Sequence, residues 1–331
     1  GHRRKRRAES YGKPCRMNDL LHIVCFGEPM VELRSANGGL LSQGFGGDVY
    51  NTLIHLNRLM GEKVNASLCT AIGSDTFSDD FENLLNEEGV STDYLIRDKT
   101  GTMGLYAITL DEAGERSFTY WRGQSAARHF MSHPDLKLSD LIANSDLIYF
   151  SGITLAIQSD SEREGFFNLL NKAKANGAKI AFDPNYRARL WEDREIARKW
   201  TRAAYKISNI IFTGTEDERL FESRTSEEII ANILKKHGER DIVVTDGINR
   251  VHAYCGGENH TVPTIDVVTV VDTTGAGDAF NAGFLSVYLQ GGTPEDALAN
   301  ANRLASYIVT VRGAIPPLSD FKTNYHGQSA I

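Results

Sequence analysis

Short apolar runs alternate with longer amphipathic stretches from about residue 140 onward. Continuous apolar runs indicate strands covered on both faces, and strands that alternate with helices are typical of a parallel sheet. The pattern therefore predicts an α/β fold with a doubly wound, mostly parallel sheet flanked by helices. The predicted strands lie at 147–150, 180–182, 210–212 and 242–244. One predicted helical stretch follows the first strand and runs through residue 169, and two others span 194–206 and 216–234.

A second pattern interrupts this alternation between residues 101 and 122. Two runs rich in aromatic and β-branched residues, 105–110 and 117–121, flank a turn sequence that contains Gly114. Such a sequence predicts a β-hairpin. Together with a strand-like run at 30–34, it predicts a small sheet that stands over the core as a lid, with lid strands from about 28–45 and 100–123.

The composition is that of a folded protein, with 41% hydrophobic and 24% charged residues. The net charge is -7, although the first sixteen residues hold seven Lys/Arg against one Glu, so the rest of the chain is more acidic than the total. An acidic body argues against nucleic-acid binding, which depends on clustered cations. The basic run at 3–7 is read either as a nuclear-localisation or RNA-contacting arm or, as we prefer, as part of a cleaved tag and linker over 1–16.

The length of 331 residues favours one large domain with an appendage over two equal domains. We therefore expect a single α/β domain over 17–331, with Met17 as the natural start. No apolar run approaches the roughly 18 to 20 residues that cross a bilayer, and no signal peptide of the usual form leads the chain. These features predict a cytoplasmic enzyme with no membrane partner.

The strongest chemical signal is the sequence Asp272-Thr273-Thr274-Gly275-Ala276-Gly277-Asp278-Ala279-Phe280. The small residues Gly275, Ala276 and Gly277 allow consecutive N–H groups to point into one concavity, and a helix that starts there adds positive potential. This arrangement predicts an anion hole for phosphate. A P-loop is excluded, because no Gly-x-x-x-x-Gly-Lys-Ser/Thr occurs.

Asp278 is the first charged side chain beside this predicted anion hole. A carboxylate there repels a polyphosphate, so its presence requires a compensating role. Accepting the proton of an attacking hydroxyl is such a role. The alternative interpretation is that Asp278 only caps the helix.

The nine residues from Asp272 resemble the second signature of the ribokinase-like (PfkB) carbohydrate kinases. The sequence Gly44-Phe45-Gly46-Gly47-Asp48, followed by Asn51, resembles the first signature, and the resemblance extends over about 22–318. It implies a ribokinase-like fold and transfer of the terminal phosphate of ATP to a sugar hydroxyl. Within the family the chain is most similar to the members that convert 2-keto-3-deoxygluconate, a sugar acid, to its 6-phosphate. The stretches that carry this similarity are 44–48, 104–106, 114–116, 120–122, 151–153, 182–187 and 189–191.

The resemblance implies a set of sugar-binding residues on the lid side. Arg122 and Arg187 are the candidates for the sugar carboxylate, because a guanidinium can bind it with two hydrogen bonds. Each role has a structural alternative: tyrosines paired across strands, an arginine at a solvated strand end, or Asp48 as a helix cap with Asn51 in the first turn. The implied sugar-binding residues are Gly46, Gly47, Asp48, Asn51, Tyr106, Tyr120, Arg122 and Arg187.

The resemblance also implies a nucleotide side. Glu218 lies where the family places an acid near magnesium and its waters, but Thr215 stands where an Asn is expected, so an ordinary helix-surface Glu is the alternative. Asp272 and Thr274 resemble a loop that lies near a bound potassium ion. The implied ATP-binding residues are Asn185, Tyr186, Arg187, Thr245, Gly247, Gly275, Gly277 and Asn302, with ATP and Mg²⁺ as cofactors and K⁺ as a further candidate.

The partners implied by the resemblance are ATP, a small sugar acid and a second copy of the chain, which family members commonly contact through their lids. Two other functions remain open at this point. One is phosphorylation of a neutral sugar of the fructose or ribose type, and the other is a non-catalytic sugar-binding module on the same fold.

Overall fold

The computed structural model describes residues 20–36, 39–110, 116–267 and 269–326. Within these ranges the strands are β1 (Leu21–Phe26), β2 (Met30–Ser35), β3 (Leu41–Gly46), β4 (Val64–Ile72), β5 (Leu95–Arg97), β6 (Gly104–Leu110), β7 (Arg116–Trp121), β8 (Leu147–Ser151), β9 (Lys179–Asp183), β10 (Ile210–Gly214), β11 (Asp241–Thr245), β12 (Val251–Cys255) and β13 (Glu258–Val262).

The helices of the described residues are α1 (Asp48–Met60), α2 (Thr76–Glu87), α3 (Leu138–Asn144), α4 (Gly152–Ala156), α5 (Asp160–Ala175), α6 (Arg194–Ile207), α7 (Ser226–His237), α8 (Ala276–Tyr288), α9 (Pro294–Ile308) and α10 (Leu318–Phe321). Short 3₁₀ turns occupy Gly61–Lys63, Ala126–Ser132, Ala188–Leu190 and Asp217–Phe221, and a π turn occupies Lys322–His326.

The larger sheet has nine strands in the described parts of the chain, in the spatial order β13-β12-β11-β10-β9-β8-β1-β4-β5. All neighbours from β5 to β11 run parallel, whereas β12 and β13 pair antiparallel at one edge. The central strands are mostly apolar because helices cover both faces. One hydrophobic cluster includes Leu53 and Phe284 from α1 and α8, and the other includes Phe166 and Trp200 from α5 and α6. The predicted doubly wound α/β fold is confirmed.

The smaller sheet has the order β3-β2-β6-β7. Strands β6 and β7 form the predicted antiparallel hairpin, and β2 pairs parallel to β6 as the run at 30–34 indicated. The turn sequence around Gly114 lies outside the described residues, as do residues 1–19. Strand β3 ends at Gly46, directly before α1, so the smaller sheet is joined to the core beside the carboxyl ends of the parallel strands.

The stretch 216–234 was predicted as one helix, and this prediction is wrong. The chain forms a 3₁₀ turn over Asp217–Phe221, adopts a left-handed conformation at Glu222 with φ 68°, and begins α7 only at Ser226. Thr225 and Glu228 form a reciprocal capping box that fixes this later start. In the described residues no helix is long and apolar enough to cross a membrane.

Candidate active site

The loop before α8 holds the glycine that precedes the predicted anion hole. Gly275 precedes the helix with a left-handed φ of 76°, and a Cβ at this position would overlap the side chain of Ala314. Only glycine combines that conformation with that close contact. The first turn of α8 leaves backbone N–H groups without intrahelical acceptors and carries the positive end of the helix dipole. The N–H of Ala276, however, already donates a hydrogen bond of 3.3 Å to the backbone oxygen of Thr273.

Asp278 lies in the first turn of α8, and its carboxylate contacts another helix. Its Oδ2 accepts a hydrogen bond of 2.8 Å from Nδ2 of Asn51, in the first turn of α1. Its backbone oxygen accepts a bond of 3.3 Å from the hydroxyl of Thr52. The residue that caps α8 is Gly275. The carboxylate of Asp278 therefore joins α8 to α1, which the capping interpretation does not explain.

The environment of Asp278 disfavours its charge. Burial raises the pKa of Asp278 well above its usual range, and the neighbouring charges of Asp48 and Asp183 raise it further. The hydrogen bond from Asn51 and the positive charge of Arg187 act in the opposite direction. A carboxylate with a raised pKa is a stronger base than an exposed one, as acid–base catalysis requires.

The two glycines before α1 each lie against a neighbouring group and leave no space for a side chain. A Cβ at Gly46 would overlap the hydroxyl of Tyr106, and a Cβ at Gly47, whose φ is 150°, would overlap the backbone oxygen of Glu28. Asp48 follows as the first residue of α1. Its Oδ1 accepts a hydrogen bond of 2.8 Å from the next backbone N–H, and its Oδ2 accepts one of 2.8 Å from Asn185 Nδ2. Asp48 thus both supports the helix start and faces the site.

Asp183 connects the two halves of the site, and the sequence analysis gave it no role. Its Oδ2 accepts a hydrogen bond of 2.7 Å from Asn281 Nδ2, and its Oδ1 accepts one of 2.9 Å from the backbone of Asn185. Burial, followed by the charge of Asp217, raises the pKa of Asp183 to about 7. Its position at the carboxyl end of a buried parallel strand, where α/β proteins bind ligands, was the available signal.

The segment after Asp183 brings a cation to the site. Asn185 has the unusual φ of 31°, and the backbone N–H of Tyr186 donates a hydrogen bond of 2.8 Å to Asp217. This backbone path leaves the side chain of Arg187 exposed, yet its charge lowers the pKa of both Asp217 and Asp278. Arg187 is therefore a positive group beside the proposed base.

The two tyrosines of the smaller sheet form a cross-strand pair, with ring centroids 5.8 Å apart. The predicted alternative, that the two tyrosines pair across neighbouring strands, is confirmed. A role of either tyrosine in sugar binding remains a prediction. The hydroxyl of Tyr106 donates a hydrogen bond to Glu32. The ring of Tyr120 is exposed and lies 5.9 Å from the guanidinium of Arg189.

Arg122 is buried, so the alternative of a solvated strand end is wrong. Its guanidinium forms an ion pair with the buried carboxylate of Glu28, which also accepts a hydrogen bond from Ser125. Its Nε is buried without a hydrogen-bond partner among the described residues. Arg122 is thus fixed in place and retains one unused donor.

An open groove of about 490 Å³ lies beside several of the predicted nucleotide-binding residues and is lined by Asp246, Ile248, Asn249, Arg250, His252, Pro263, Thr264 and Asp266. Thr245 ends β11 next to this groove, and Gly247 follows in a left-handed conformation with φ 56°. Asn302 is buried in α9 and donates a hydrogen bond of 3.0 Å to the backbone of Pro263, on the wall of the groove. The nucleotide roles of these residues remain predictions.

Glu218 is buried, so the alternative of a helix-surface Glu is wrong. Its Oε1 accepts a hydrogen bond of 3.1 Å from Thr213 and another from the hydroxyl of Tyr205. Burial raises the pKa of Glu218 to about 7. A role near magnesium remains a prediction.

Asp272 already pairs within the protein with Arg34, a cation that it shares with Glu32. Its Oδ2 accepts hydrogen bonds of 3.2 Å from Arg34 and 2.9 Å from the backbone of Gly313, and its Oδ1 accepts one of 2.9 Å from the backbone of Thr274. These contacts do not fit the monovalent cation that the resemblance implies at Asp272 and Thr274.

Comparison with known proteins supports the class that this fold and this site define. The model for "pfkB family carbohydrate kinase" matches residues 21–320. The chain therefore belongs to the pfkB family, and it is a carbohydrate kinase with a ribokinase-like fold.

The chain is also similar to individual proteins of known activity or structure. The chain is 37% identical over 302 residues to a 2-dehydro-3-deoxygluconokinase of Dickeya dadantii, covering 90% of this chain and 97% of that protein. It is 30% identical over 263 residues to a fructokinase of Vibrio alginolyticus, covering 78% and 81% respectively. A crystal structure of a Xylella fastidiosa fructokinase with bound ATP superposes with a TM-score of 0.77 at 25% identity, covering 93% and 99%.

Proposed function

We propose that this kinase transfers the terminal phosphate of ATP to the 6-hydroxyl of 2-keto-3-deoxygluconate, with Asp278 as the general base. The observation that supports this best is the position of the Asp278 carboxylate at the N-terminus of α8. This carboxylate accepts a hydrogen bond from Asn51, and burial raises its pKa. A base and an anion site are thereby adjacent, as phosphoryl transfer to an alcohol requires.

The sugar hydroxyls bind on the α1 side of Asp278, at Gly46, Gly47, Asp48 and Asn51. Asn51 supports this assignment, because its Oδ1 is buried and has no hydrogen-bond partner among the described residues. A ligand hydroxyl that donates to Oδ1 would satisfy it. The same hydroxyl would then lie close to the carboxylate of Asp278, which accepts its proton as the bond to phosphorus forms.

The sugar carboxylate binds to Arg122, with Arg187 as the second cation. The unused Nε of Arg122 supports the first assignment, and the exposure of Arg187 beside Asp278 suits either the sugar acid or the phosphates. Tyr106 and Tyr120 pack against the sugar from the smaller sheet. That sheet acts as a lid over the site, so that water is excluded and phosphate reaches the sugar.

ATP occupies the groove beside Thr245 and Gly247, with Asn185, Tyr186 and Asn302 on its path and its terminal phosphate at the amides of 275–277. The bound ATP in the similar fructokinase structure supports ATP as the phosphate donor. Mg²⁺, when bound with ATP, neutralises phosphate charge during transfer. Burial, with a further contribution from neighbouring carboxylates, raises the pKa of Asp183, Asp217 and Glu218, and a cation bound nearby would favour their charged forms. Glu218 would act on Mg²⁺ through water.

We further propose that two copies associate through their smaller sheets and that residues 17–331 form one domain. Exposed apolar side chains support association, since Trp121 is 58% exposed and Leu41 and Phe118 are also accessible. Such a patch on a small sheet favours burial against a second copy. Sedimentation of the wild type and of Trp121→Glu tests this, and identical masses would contradict it.

A coupled assay of ADP release tests the function across 2-keto-3-deoxygluconate, its galactonate epimer, fructose and ribose. We expect the highest kcat/KM for the gluconate-type sugar acid. A higher value for fructose would establish the neutral-sugar alternative, which the ion pair of Arg122 with Glu28 favours because it already occupies part of the guanidinium. Absence of ADP release with all four sugars, despite ATP binding, would contradict the proposed reaction.

A further inference from the structure

A continuous series of polar contacts joins the smaller sheet to the loop before α8. The hydroxyl of Tyr106 donates to Glu32, and Oε2 of Glu32 accepts a hydrogen bond of 3.1 Å from Arg34. Arg34 in turn donates a hydrogen bond of 3.2 Å to Asp272. The contacts are shielded in part: the side chains of Arg34, Glu32 and Asp272 are 18%, 12% and 1% exposed, and the first two line an open cavity of about 880 Å³.

Asp272 fixes the backbone that leads into the proposed anion hole. Its two oxygens hold the N–H of Thr274, one residue before Gly275, and the N–H of Gly313, one residue before Ala314. Ala314 is the residue that leaves no space for a Cβ at Gly275. The orientation of one carboxylate therefore sets the relative position of two loops that meet at the N-terminus of α8.

A carboxylate as buried as that of Asp272 requires a positive partner. Burial works against the charge of Arg34, but the carboxylates of Glu32 and Asp272 outweigh it and raise the pKa of Arg34. The guanidinium therefore stays charged. A monovalent cation entering beside Asp272 would meet this charge at short range, in surroundings that screen it poorly.

We propose that Arg34 is a built-in cation that takes the place of a bound monovalent ion, so that the kinase does not depend on K⁺. Arg34 is a positioning residue, which acts on phosphate transfer through Asp272. Because Arg34 also reaches Tyr106 through Glu32, it links the sugar-binding face of the smaller sheet to the anion hole. The proposal rests on the proposed function for the identity of that anion hole.

The first experiment compares the wild-type enzyme in potassium, sodium and choline chloride at one ionic strength. We expect the same kcat and the same melting temperature in all three salts. A wild type that K⁺ activates about tenfold or more over choline, with a matching rise in melting temperature, would overturn the proposal, because specific binding stabilises the folded state by mass action.

The second experiment removes the guanidinium. Arg34→Met should lower kcat by about tenfold to a hundredfold in choline chloride, the order expected when a reacting group is misplaced. Addition of K⁺ should restore much of the loss and raise the melting temperature, because Asp272 then gains a cation. Arg34→Lys keeps a positive charge and should remain insensitive to K⁺.

The matched control is Arg97→Met. Arg97 ends an edge strand and, like Arg34, is held by two carboxylates, those of Asp79 and Glu82. Its loss should not create a response to K⁺. An Arg34→Met enzyme that is merely less stable, with no response of kcat or melting temperature to K⁺, would contradict the proposal.

The melting temperatures separate this proposal from the proposed function. If the wild type phosphorylates none of the sugars, the proposed function fails, while the response of Arg34→Met to K⁺ in the melting experiment still decides the role of Arg34. If Arg34→Met does not fold, the salt comparison on the wild type and on Arg34→Lys decides it.

Discussion

Asn51 and Asp278 are separated by 227 positions in the chain and joined by a hydrogen bond of 2.8 Å. Asn51 donates through Nδ2, so its Oδ1 lies on the other side of the same planar amide and is left as an acceptor. A hydroxyl bound to that acceptor would lie near the carboxylate that is to take its proton. The pair thus couples substrate binding on α1 to proton transfer on α8.

Asp278→Asn should reduce kcat by about a hundredfold to ten-thousandfold, the usual contribution of a general base. The KM for the sugar should change little, because the amide retains the shape and one oxygen. The melting temperature should rise, because the variant removes a charge that burial and Asp48 disfavour. Steady-state kinetics and thermal unfolding measure both effects.

The control for Asp278→Asn is Asp135→Asn, which removes an exposed carboxylate. Both its kcat and its melting temperature should match the wild type. Near-normal turnover of Asp278→Asn would show that another group is the base.

Asp183 should make the stability of the protein depend on pH. Its pKa is about 7 in the folded chain and near 4 in the unfolded chain. The folded state therefore binds more protons than the unfolded state between these values, and the free energy of unfolding falls as pH rises from about 4 to 7. Asp183→Asn should remove that part of the slope, a few kcal/mol at most.

Denaturant unfolding at several pH values measures this slope for the wild type, for Asp183→Asn and for Asp135→Asn. Loss of the hydrogen bond to Asn281 affects Asp183→Asn at every pH, so the slope is the informative quantity. Equal slopes for all three proteins would show that Asp183 is ionised normally.

The fold was predicted best where its elements follow one another regularly. Strands β8 to β11 stand out as apolar runs between helices, whereas the central strand β1 was not predicted. The chain leaves β1 to form β2 and β3 before its first helix, so the regular alternation is absent there. The break at Glu222 was missed for another reason: the amphipathic pattern continues across it, and only the capping box at Thr225 marks the true start of α7.

The parts of the candidate site that could be predicted are those whose residues are neighbours in the sequence. The run from Gly275 to Asp278 lies in consecutive residues, so the start of a helix there, with Asp278 in its first turn, could be inferred from the sequence. The partners of these residues could not. Glu28 and Arg122 are 94 positions apart and are brought together by the strand pairing of the smaller sheet. Arg34 and Asp272 are 238 positions apart, and the packing of that sheet onto the core brings them together.

Loss of the ion pair between Arg122 and Glu28 should account for most of the stability lost when either residue alone is mutated. Arg122→Leu leaves the carboxylate of Glu28 buried without its counter-charge, which should cost about 3–5 kcal/mol of stability. The double variant Glu28→Gln with Arg122→Leu removes both charges and should recover much of that loss. Chemical unfolding of the two single variants and the double variant gives the coupling energy.

The double variant also tests the proposed role of Arg122 in binding. If Arg122 holds the sugar carboxylate, the double variant should raise KM for the sugar acid by about tenfold or more, in line with the loss of one partner of a buried charge pair. The KM for fructose should not change. An unchanged KM for the sugar acid in a folded double variant would assign the carboxylate to another cation, with Arg187 as the first to test.

The three glycines around the start of α1 should respond differently to alanine. Gly47→Ala places a Cβ against the backbone oxygen of Glu28 at a φ of 150°, and backbone cannot easily move, so it should cost at least about 2 kcal/mol of stability. Gly46→Ala meets the hydroxyl and the adjoining ring atoms of Tyr106, a side chain that can shift more easily than backbone. It should therefore cost less stability than Gly47→Ala but raise KM for the sugar, because Tyr106 leaves Glu32 and the proposed sugar site. Gly44→Ala is the control on the same strand, since its Cβ would make only an ordinary contact of 3.9 Å with Glu32.

Melting temperatures and sugar KM values for the three variants test this order. Equal effects of Gly46→Ala and Gly44→Ala on KM would remove Tyr106 from the sugar site.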